Sequence, residues 1–294
     1  MSILERIPEL ACPVCKGDLE FRSGLCCKSC DKHYEVHDDI PYMLVGDMLD
    51  FAEEIAVQGR VAIEYEEKRY SAPYAKKYHQ WCVEQMLSRV QTDGRILDNG
   101  CGVGLLYEKI PARQLVGIDL SSEMLRRAAK FSDQLVLGNS QQLPFKDNSF
   151  DLVFCRSLLH HLPAPELAVQ EMHRVLRPGG QIVLAETNSS LLSTLPRKIA
   201  SRSRHFSEVH ANLSRRTLVS LLEPCFVVDD VSYFGYIAYP LLGFPDVVNL
   251  FRFVPFKSIA VPILMGLDAI LSRIPLVRTQ SWGIILKGTA LAER

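Results

Sequence analysis

The 294-residue chain lacks an excess of charge of either sign: 33 lysines and arginines face 34 acids, for a net charge of −1. No global basic field is therefore available to attract nucleic acid. The first eight residues, Met-Ser-Ile-Leu-Glu-Arg-Ile-Pro, lack the long apolar core of a secretion signal, so a reducing cytoplasm is the expected compartment. Any uninterrupted apolar helix long enough to span a bilayer is missing too, because proline or glycine breaks every candidate run. What remains is 48% hydrophobic residues, enough for one large core, and a length that accommodates a large domain plus a small one.

Cysteine is not scarce, but it is unevenly spread: five of the nine fall between Cys12 and Cys30. Cys12 and Cys15 are spaced C-x2-C, and so are Cys27 and Cys30. Two such knuckles joined by a short hairpin give the four thiolates of a tetrahedral zinc site. Cys26 competes with Cys27 but breaks the two-residue spacing, and His33 is a substitute ligand. Free thiols or disulfides are the plain alternative. A cytoplasmic segment this poor in apolar residues cannot fold on its own core, which favours metal. Cys82, Cys101, Cys155 and Cys225 stand in apolar contexts and read as buried hydrophobes. The first 45 residues or so resemble the zinc ribbon that precedes several methyltransferases, the ribosomal-RNA guanine-N1 methyltransferases among them.

The chain is organised around Arg95 to Gly104, R-I-L-D-N-G-C-G-V-G. An apolar strand breaks into glycines at alternate positions, and Leu105 to Lys109 follow with a helix-like pattern. A turn of this kind cradles a nucleotide, since glycine lets the backbone turn tightly and come close to a ligand. Pyrophosphate would want the helix N-terminus. An adenosine carrying an amino-acid tail would use the same turn. The carboxylate of Asp98 argues for the second, because it repels phosphate and pairs with an ammonium group.

Strand and helix signals then alternate. Leu115 to Asp119 is a short strand, Ser121 to Phe131 a helix capped by Ser121 or Ser122, and Gln134 to Gly138 a strand. Phe150 to Cys155 is a strand, Pro165 to Leu176 a helix stopped by Arg-Pro-Gly-Gly, and Gln181 to Ala185 a strand. This is a doubly wound parallel sheet of the α/β class. Asp119, about twenty residues past the glycines at a strand end, suits ribose hydroxyls. Upstream, residues 47–94 read as a helical connector or lid that ends in an amphipathic helix from Tyr74 to Val90, with Glu53, Glu54, Tyr65, Tyr70, Tyr78 and Trp81 at helical spacing.

Five segments in order over residues 95 to 187 resemble the class I S-adenosylmethionine-dependent methyltransferases: L-D-N-G-C-G-V-G, V-G-I-D-L-S-S-E-M-L, N-S-Q-Q-L-P-F-K-D-N-S-F-D-L-V-F, L-L-H-H-L and V-L-R-P-G-G-Q-I-V-L-A-E. The resemblance implies a Rossmann-like seven-stranded sheet. It also implies S-adenosyl-L-methionine as cofactor, held by Asp98, Gly100, Gly102 and Gly104 at the methionine part. Asp119 would take the ribose hydroxyls, with Leu120 beside it. Asn139 stands where the family usually has an acid facing the adenine amino group. Ser140 and Gln141 would lie beside the adenine, and Cys155 and Arg156 near the methionine tail.

Methyl transfer needs a general base only if the acceptor must lose a proton. His160 and His161 are the first candidates, although their turn serves equally as structure; Glu186, His205 and His210 are others. Phe226 to Tyr233 and Trp282 to Lys287 read as the last two strands. Between them lies a mostly helical apolar insert, 238–278. The insert is expected to cover the acceptor pocket, form a dimer face, or lie on a membrane surface. The domains expected are thus a zinc ribbon at 1–46, the connector at 47–94 and a methyltransferase domain at 95–294. The ribbon is expected to be dispensable for cofactor binding. Three functions fit: methylation of a small, hydrophobic or lipid-like molecule; methylation of an RNA base, helped by the ribbon and the basic run Arg197 to Arg204; or a non-catalytic binding module.

Overall fold

The computed structural model describes residues 1–45, 69, 71–191, 193, 213–245 and 249–292. Glu53, Glu54, Tyr65, Tyr70, the basic run Arg197 to Arg204, His205 and His210 lie outside them.

A seven-stranded sheet forms the body. Its strands, numbered after the five short ones of the N-terminal segment, are β6 (Ile96–Asn99), β7 (Leu115–Asp119), β8 (Leu135–Leu137), β9 (Phe150–Arg156), β10 (Leu176–Thr187), β11 (Phe226–Phe234) and β12 (Gly283–Ala290). They lie in the order β11-β12-β10-β9-β6-β7-β8. β8, β7, β6, β9 and β10 are parallel, and β12 runs antiparallel between β10 and β11. All four residues of β6 are buried, as are the first four of β7, which is why these strands read as apolar runs without alternation. The chain leaves β6 toward β7 and β8, then returns to β9 and β10 on the other side. The crevice at this reversal, beyond the carboxyl ends of β6 and β9, is where such sheets bind ligands.

Two expected helices are shorter than the pattern suggests. Leu105–Glu108 is a single 3-10 turn rather than an α-helix. It begins from Gly104 in the left-handed region (φ 85°), and Pro111 follows too closely for a second turn. The helix capped by Ser121 ends at Ala128. The expected helix from Tyr74 to Val90 is α2 (Pro73–Leu87, after the short α1 at Ile3–Arg6), which starts one residue earlier, ends three residues short of Val90, and buries Ala75, Tyr78, His79, Cys82, Val83 and Met86 on one face. α3 (Ser122–Ala128), α4 (Pro165–Val175) and α5 (Arg215–Leu222) follow; α5 is capped by Ser214.

The N-terminal segment packs directly against the sheet. Ile3, Ile7, Leu10, Leu19, Leu25 and Tyr34 share one continuous core with Val116, Val136, Phe145 and Phe150 of the sheet. Its own strands, β1 (Leu19–Phe21), β2 (Leu25–Cys27) and β3 (His33–Tyr34), are too small to enclose an interior, so the segment buries its apolar side on the larger body. After the small hairpin of β4 (Val36–His37) and β5 (Ile40–Pro41), Tyr42 pairs in parallel with Leu137 and the Met43 N–H donates to the Leu137 carbonyl at 2.7 Å. The segment therefore covers the free edge of β8, an edge that would otherwise offer unpaired backbone groups. A second seam joins Leu10 to Phe145, with Ala11 donating to the Pro144 carbonyl and Lys146 to the Glu9 carbonyl. Arg95, at the start of β6, grips Glu9 with two hydrogen bonds of 2.8 and 3.0 Å.

The insert before β12 comprises α6 (Ala238–Leu242), a 3-10 turn (Leu250–Phe253), α7 (Lys257–Leu271) and α8 (Pro275–Arg278). Ala238, Leu242, Phe251 and Val261 pack with Tyr78 and Met86 of α2 and with Phe154 and Ala185 of the sheet. No helix among the described residues is long and apolar enough to cross a membrane.

Candidate cofactor site and cysteine cluster

β6 ends at Asp98 and Asn99, and the glycine loop curls back over β7. The N–H groups of Gly100 and Cys101 both donate to the Ile118 carbonyl. The Gly102 N–H donates to one carboxylate oxygen of Asp119 at 2.9 Å, and the Ser121 N–H donates to the other at 2.9 Å. Asp119 thus ties the loop to the end of β7. Gly102 has φ 52° and a Cβ placed there would meet nothing within 4 Å, so the loop presents bare backbone to open space. A Cβ at Gly100, which has φ 79°, would come within 3.2 Å of Leu158, so the turn after β9 lies beside the loop.

Several buried polar groups converge here with capacity to spare. Asp98 is buried, and its carboxyl accepts no hydrogen bond from any described residue. Burial, then the neighbouring Asp119, push its pKa up to about 8, against a smaller lowering by Arg156. Ser140 donates to Asn99 Oδ1 at 2.7 Å, while the buried Asn99 Nδ2 has no partner. The Asn139 side-chain oxygen accepts from the Gln141 N–H, and Gln141 Nε2 donates to the Ala164 carbonyl while its Oε1 is buried without a partner. Leu120 is half-buried at the loop. Cys155 is fully buried, and burial raises its thiol pKa well above the ordinary value. Asn99 was missed by the sequence reading; its signal is a polar residue directly after Asp98, inside a strand buried on both faces.

His160 and His161 form a short turn beyond β9, with ring centroids 4.1 Å apart. His160 is buried, and its Nδ1–H donates to Glu186 at 2.6 Å. The other carboxylate oxygen of Glu186 accepts the N–H groups of Leu158 and Leu159. Burial works against charge on Glu186, yet His160 and the Leu159 N–H hold its pKa below the ordinary value. Glu186 therefore orients the histidine turn.

Above the end of β9 lies a contact that sequence patterns did not reveal. His79 of α2 donates from Nε2 to the Gly243 carbonyl of the insert at 2.9 Å and accepts at Nδ1 from Arg156 at 2.8 Å. Burial, Arg156 and Arg69 keep the His79 pKa well below its ordinary value, so the ring is neutral, as this pattern requires. Arg69 stacks on Phe244 at 4.7 Å from the ring centre, and Tyr239 meets Tyr78, Phe234, Phe244 and Trp282. α2 and the insert meet here in an aromatic cluster that packs on the sheet.

A family profile described as methyltransferase domain matches residues 97–184, the stretch from the glycine strand through β10. Residues 97–184 are thus a methyltransferase domain. A demethylmenaquinone methyltransferase of Listeria welshimeri is 37% identical over 126 residues, 38% of this chain and 53% of that protein. A methyltransferase of Schizosaccharomyces pombe is 31% identical over 137 residues, 39% of this chain and 49% of that protein. The chain thus spans about half the length of these curated relatives. A crystal structure of an S-adenosylmethionine-dependent methyltransferase from Thermotoga maritima shares the fold, with TM-score 0.55, 19% identity, and coverage of 80% of this chain and 99% of that one.

In the N-terminal segment, the sulfurs of Cys12, Cys15, Cys27 and Cys30 lie within 4.8 Å of one another. Three of the distances are 3.5 to 3.6 Å. Sulfurs bound at about 2.3 Å to a tetrahedral zinc stand about 3.8 Å apart, so the arrangement fits the ion. The Tyr34 hydroxyl lies 3.0 Å from the Cys12 sulfur, and the Ser29 N–H donates to Cys27. Cys26 is turned to His33, 3.0 Å from its Nδ1, and neither belongs to the cluster.

Proposed function

We propose that the chain transfers the methyl group of S-adenosyl-L-methionine to a small, hydrophobic, lipid-like acceptor. The observation that carries the acceptor class is the aromatic cluster beside the His79–Arg156 contact at the carboxyl end of β9, in which Tyr239 of the insert meets Tyr78 of α2, Phe244 and Trp282. The Listeria relative's name, which specifies demethylmenaquinone, agrees with this class.

The residues present suit the cofactor. Asp98 supplies a buried carboxyl for the ammonium group, and bare Gly102 supplies the close approach for the methionine part. Asp119 is at hand for the ribose hydroxyls. The Asn139 oxygen, which accepts from the Gln141 N–H and keeps a second lone pair, is an acceptor for the adenine amino group, and the unpartnered Gln141 Oε1 is a further one. Leu120, Ser140 and Cys155 complete the wall. When bound, S-adenosylmethionine brings an already activated methyl group, so the protein's task is positioning. For a hydroxyl acceptor, His160 is the base of choice over His161, because Glu186 fixes its ring through Nδ1. With Nδ1–H committed to Glu186, the proton would be taken at Nε2. Cys12, Cys15, Cys27 and Cys30 would hold one zinc ion as a structural site.

The test is transfer of labelled methyl from S-adenosylmethionine into lipid, small-molecule and RNA fractions. Label in an organic-extractable product supports the reading. Label confined to RNA overturns it.

A further inference from the structure

The inner side of α7 is accounted for. Val261 is buried, and Asp268, 1% exposed, accepts the N–H groups of Tyr236, Ile237 and Ala238. The outer side is not. Ile259, Ile263, Leu267 and Ile270 recur at helical spacing and are 40 to 59% exposed. The stripe continues at both ends through Phe253, Phe256, Ile274 and Leu276, of which Leu276 is 89% exposed. Single exposed apolar residues are ordinary, but eight on one appended element are not.

Charge selects the occupant. Arg252 and Lys257 are exposed at one end of the stripe, Arg273 and Arg278 at the other. From Asn249 to Trp282 the only acid is Asp268, and it faces inward. A second copy meeting the same face across a two-fold axis would bring four cations against four. An anionic lipid surface accepts both features: acyl chains receive the isoleucines and phenylalanines, and headgroups pair with the basic rim.

We infer that the outer face of α7, with its flanking turns, docks the protein on an anionic membrane surface. Docking stands without any particular acceptor. Its use, presenting the crevice to a lipid-borne substrate, rests on the lipid-like acceptor proposed above. The same insert contacts the site from inside, through Gly243 and His79 to Arg156, so a docked α7 would set the crevice beside the bilayer.

The experiment is co-sedimentation of the full-length, zinc-loaded chain with phosphatidylcholine vesicles, with and without phosphatidylglycerol, at low and high salt. The wild type should pellet with the anionic vesicles and be released by salt. Ile263→Glu with Leu267→Glu should remain in the supernatant, with unchanged cofactor affinity and circular dichroism. Each of Arg273→Gln and Arg278→Gln should lower partitioning about five-fold. Wild-type protein that ignores anionic vesicles, or a double variant that binds as well as wild type, would overturn the docking. So would a wild-type dimer in sedimentation equilibrium that the double variant dissolves, since the face would then be a self-interface. Methyl transfer to a detergent-dispersed lipid acceptor separates the two readings. Transfer without vesicle binding removes the docking alone, and vesicle binding without transfer to any lipid removes the acceptor alone.

Discussion

Leu25 and Ile263 are both branched apolar residues on segments appended to the same methyltransferase domain, yet Leu25 is fully buried and Ile263 is 56% exposed. The N-terminal segment merges its interior with that of the sheet, adds backbone hydrogen bonds along β8, and closes its far end with four clustered cysteines. The insert buries one side on α2 and the sheet and leaves the other in water. The first has the character of a structural part and the second that of an interaction surface. An appendage can thus be sorted by whether its apolar residues are satisfied within the chain.

The comparison is broken most severely by disabling the cysteine cluster. Cys27→Ser, or removal of zinc by a strong chelator, should unfold more than the ribbon, because Cys12 and Cys27 belong to the core that also holds Val116 and Phe150. Structural zinc contributes on the order of 10 kcal/mol to folding, comparable to the whole stability of a domain. Loss of both zinc and cofactor binding is expected, read by metal analysis and calorimetry; Cys26→Ser should keep both. A chelated protein with undiminished cofactor affinity would show that the ribbon is a separate unit after all.

The corresponding break in the insert is smaller. Asp268→Ala would leave three backbone N–H groups without their acceptor near the start of α6. A cost of about 3 kcal/mol is expected in denaturant unfolding. Protease sensitivity should rise within 238–278 and not in the N-terminal segment.

What was legible in the sequence was local. The run from Asp98 through Gly104, the acid at Asp119 and the spacing of Cys12, Cys15, Cys27 and Cys30 each lie within one strand-turn unit or one pair of knuckles, where backbone geometry dictates residue type. What escaped depended on contacts between distant residues. The pairing of Leu10 with Phe145, which seats the N-terminal segment on the sheet, carries no periodic signature. His79 belongs to no motif, and only the fold brings Arg156 and Gly243 to its two nitrogens. In α7, apolar residues occur on every side, so periodicity could not tell the buried face from the exposed one.

Between the strands the two appendages grip lies Asp98, which supplies a prediction of intermediate size. Its pKa of about 8 means the carboxyl is protonated in the unliganded fold at neutral pH. Pairing with an ammonium group requires the carboxylate, so binding S-adenosylmethionine should release a proton below pH 8. Affinity should then rise with pH from about 6 to 8, by up to about tenfold per unit, and level off where the ligand's own amine begins to lose its charge. Calorimetry in buffers of different ionisation enthalpy counts the proton. Asp98→Asn should bind more weakly and lose the pH slope; a slope that survives would assign the proton to another group.

The smallest effect expected is the sharpest test of the comparison. Leu25→Ser places a hydroxyl in a closed core and should cost roughly 2–5 kcal/mol. Ile263→Ser removes a side chain already more than half in water, so its cost should stay within about 0.5 kcal/mol. The two substitutions delete similar apolar volume, and the difference in midpoint of urea unfolding therefore reports burial rather than chemistry. If Ile263→Ser proves as damaging as Leu25→Ser in dilute, lipid-free solution, the outer face of α7 is covered by the chain or by a second copy, and the contrast between the two appendages disappears. If it is silent there but changes sedimentation with vesicles, the exposed stripe is maintained for contact outside the chain.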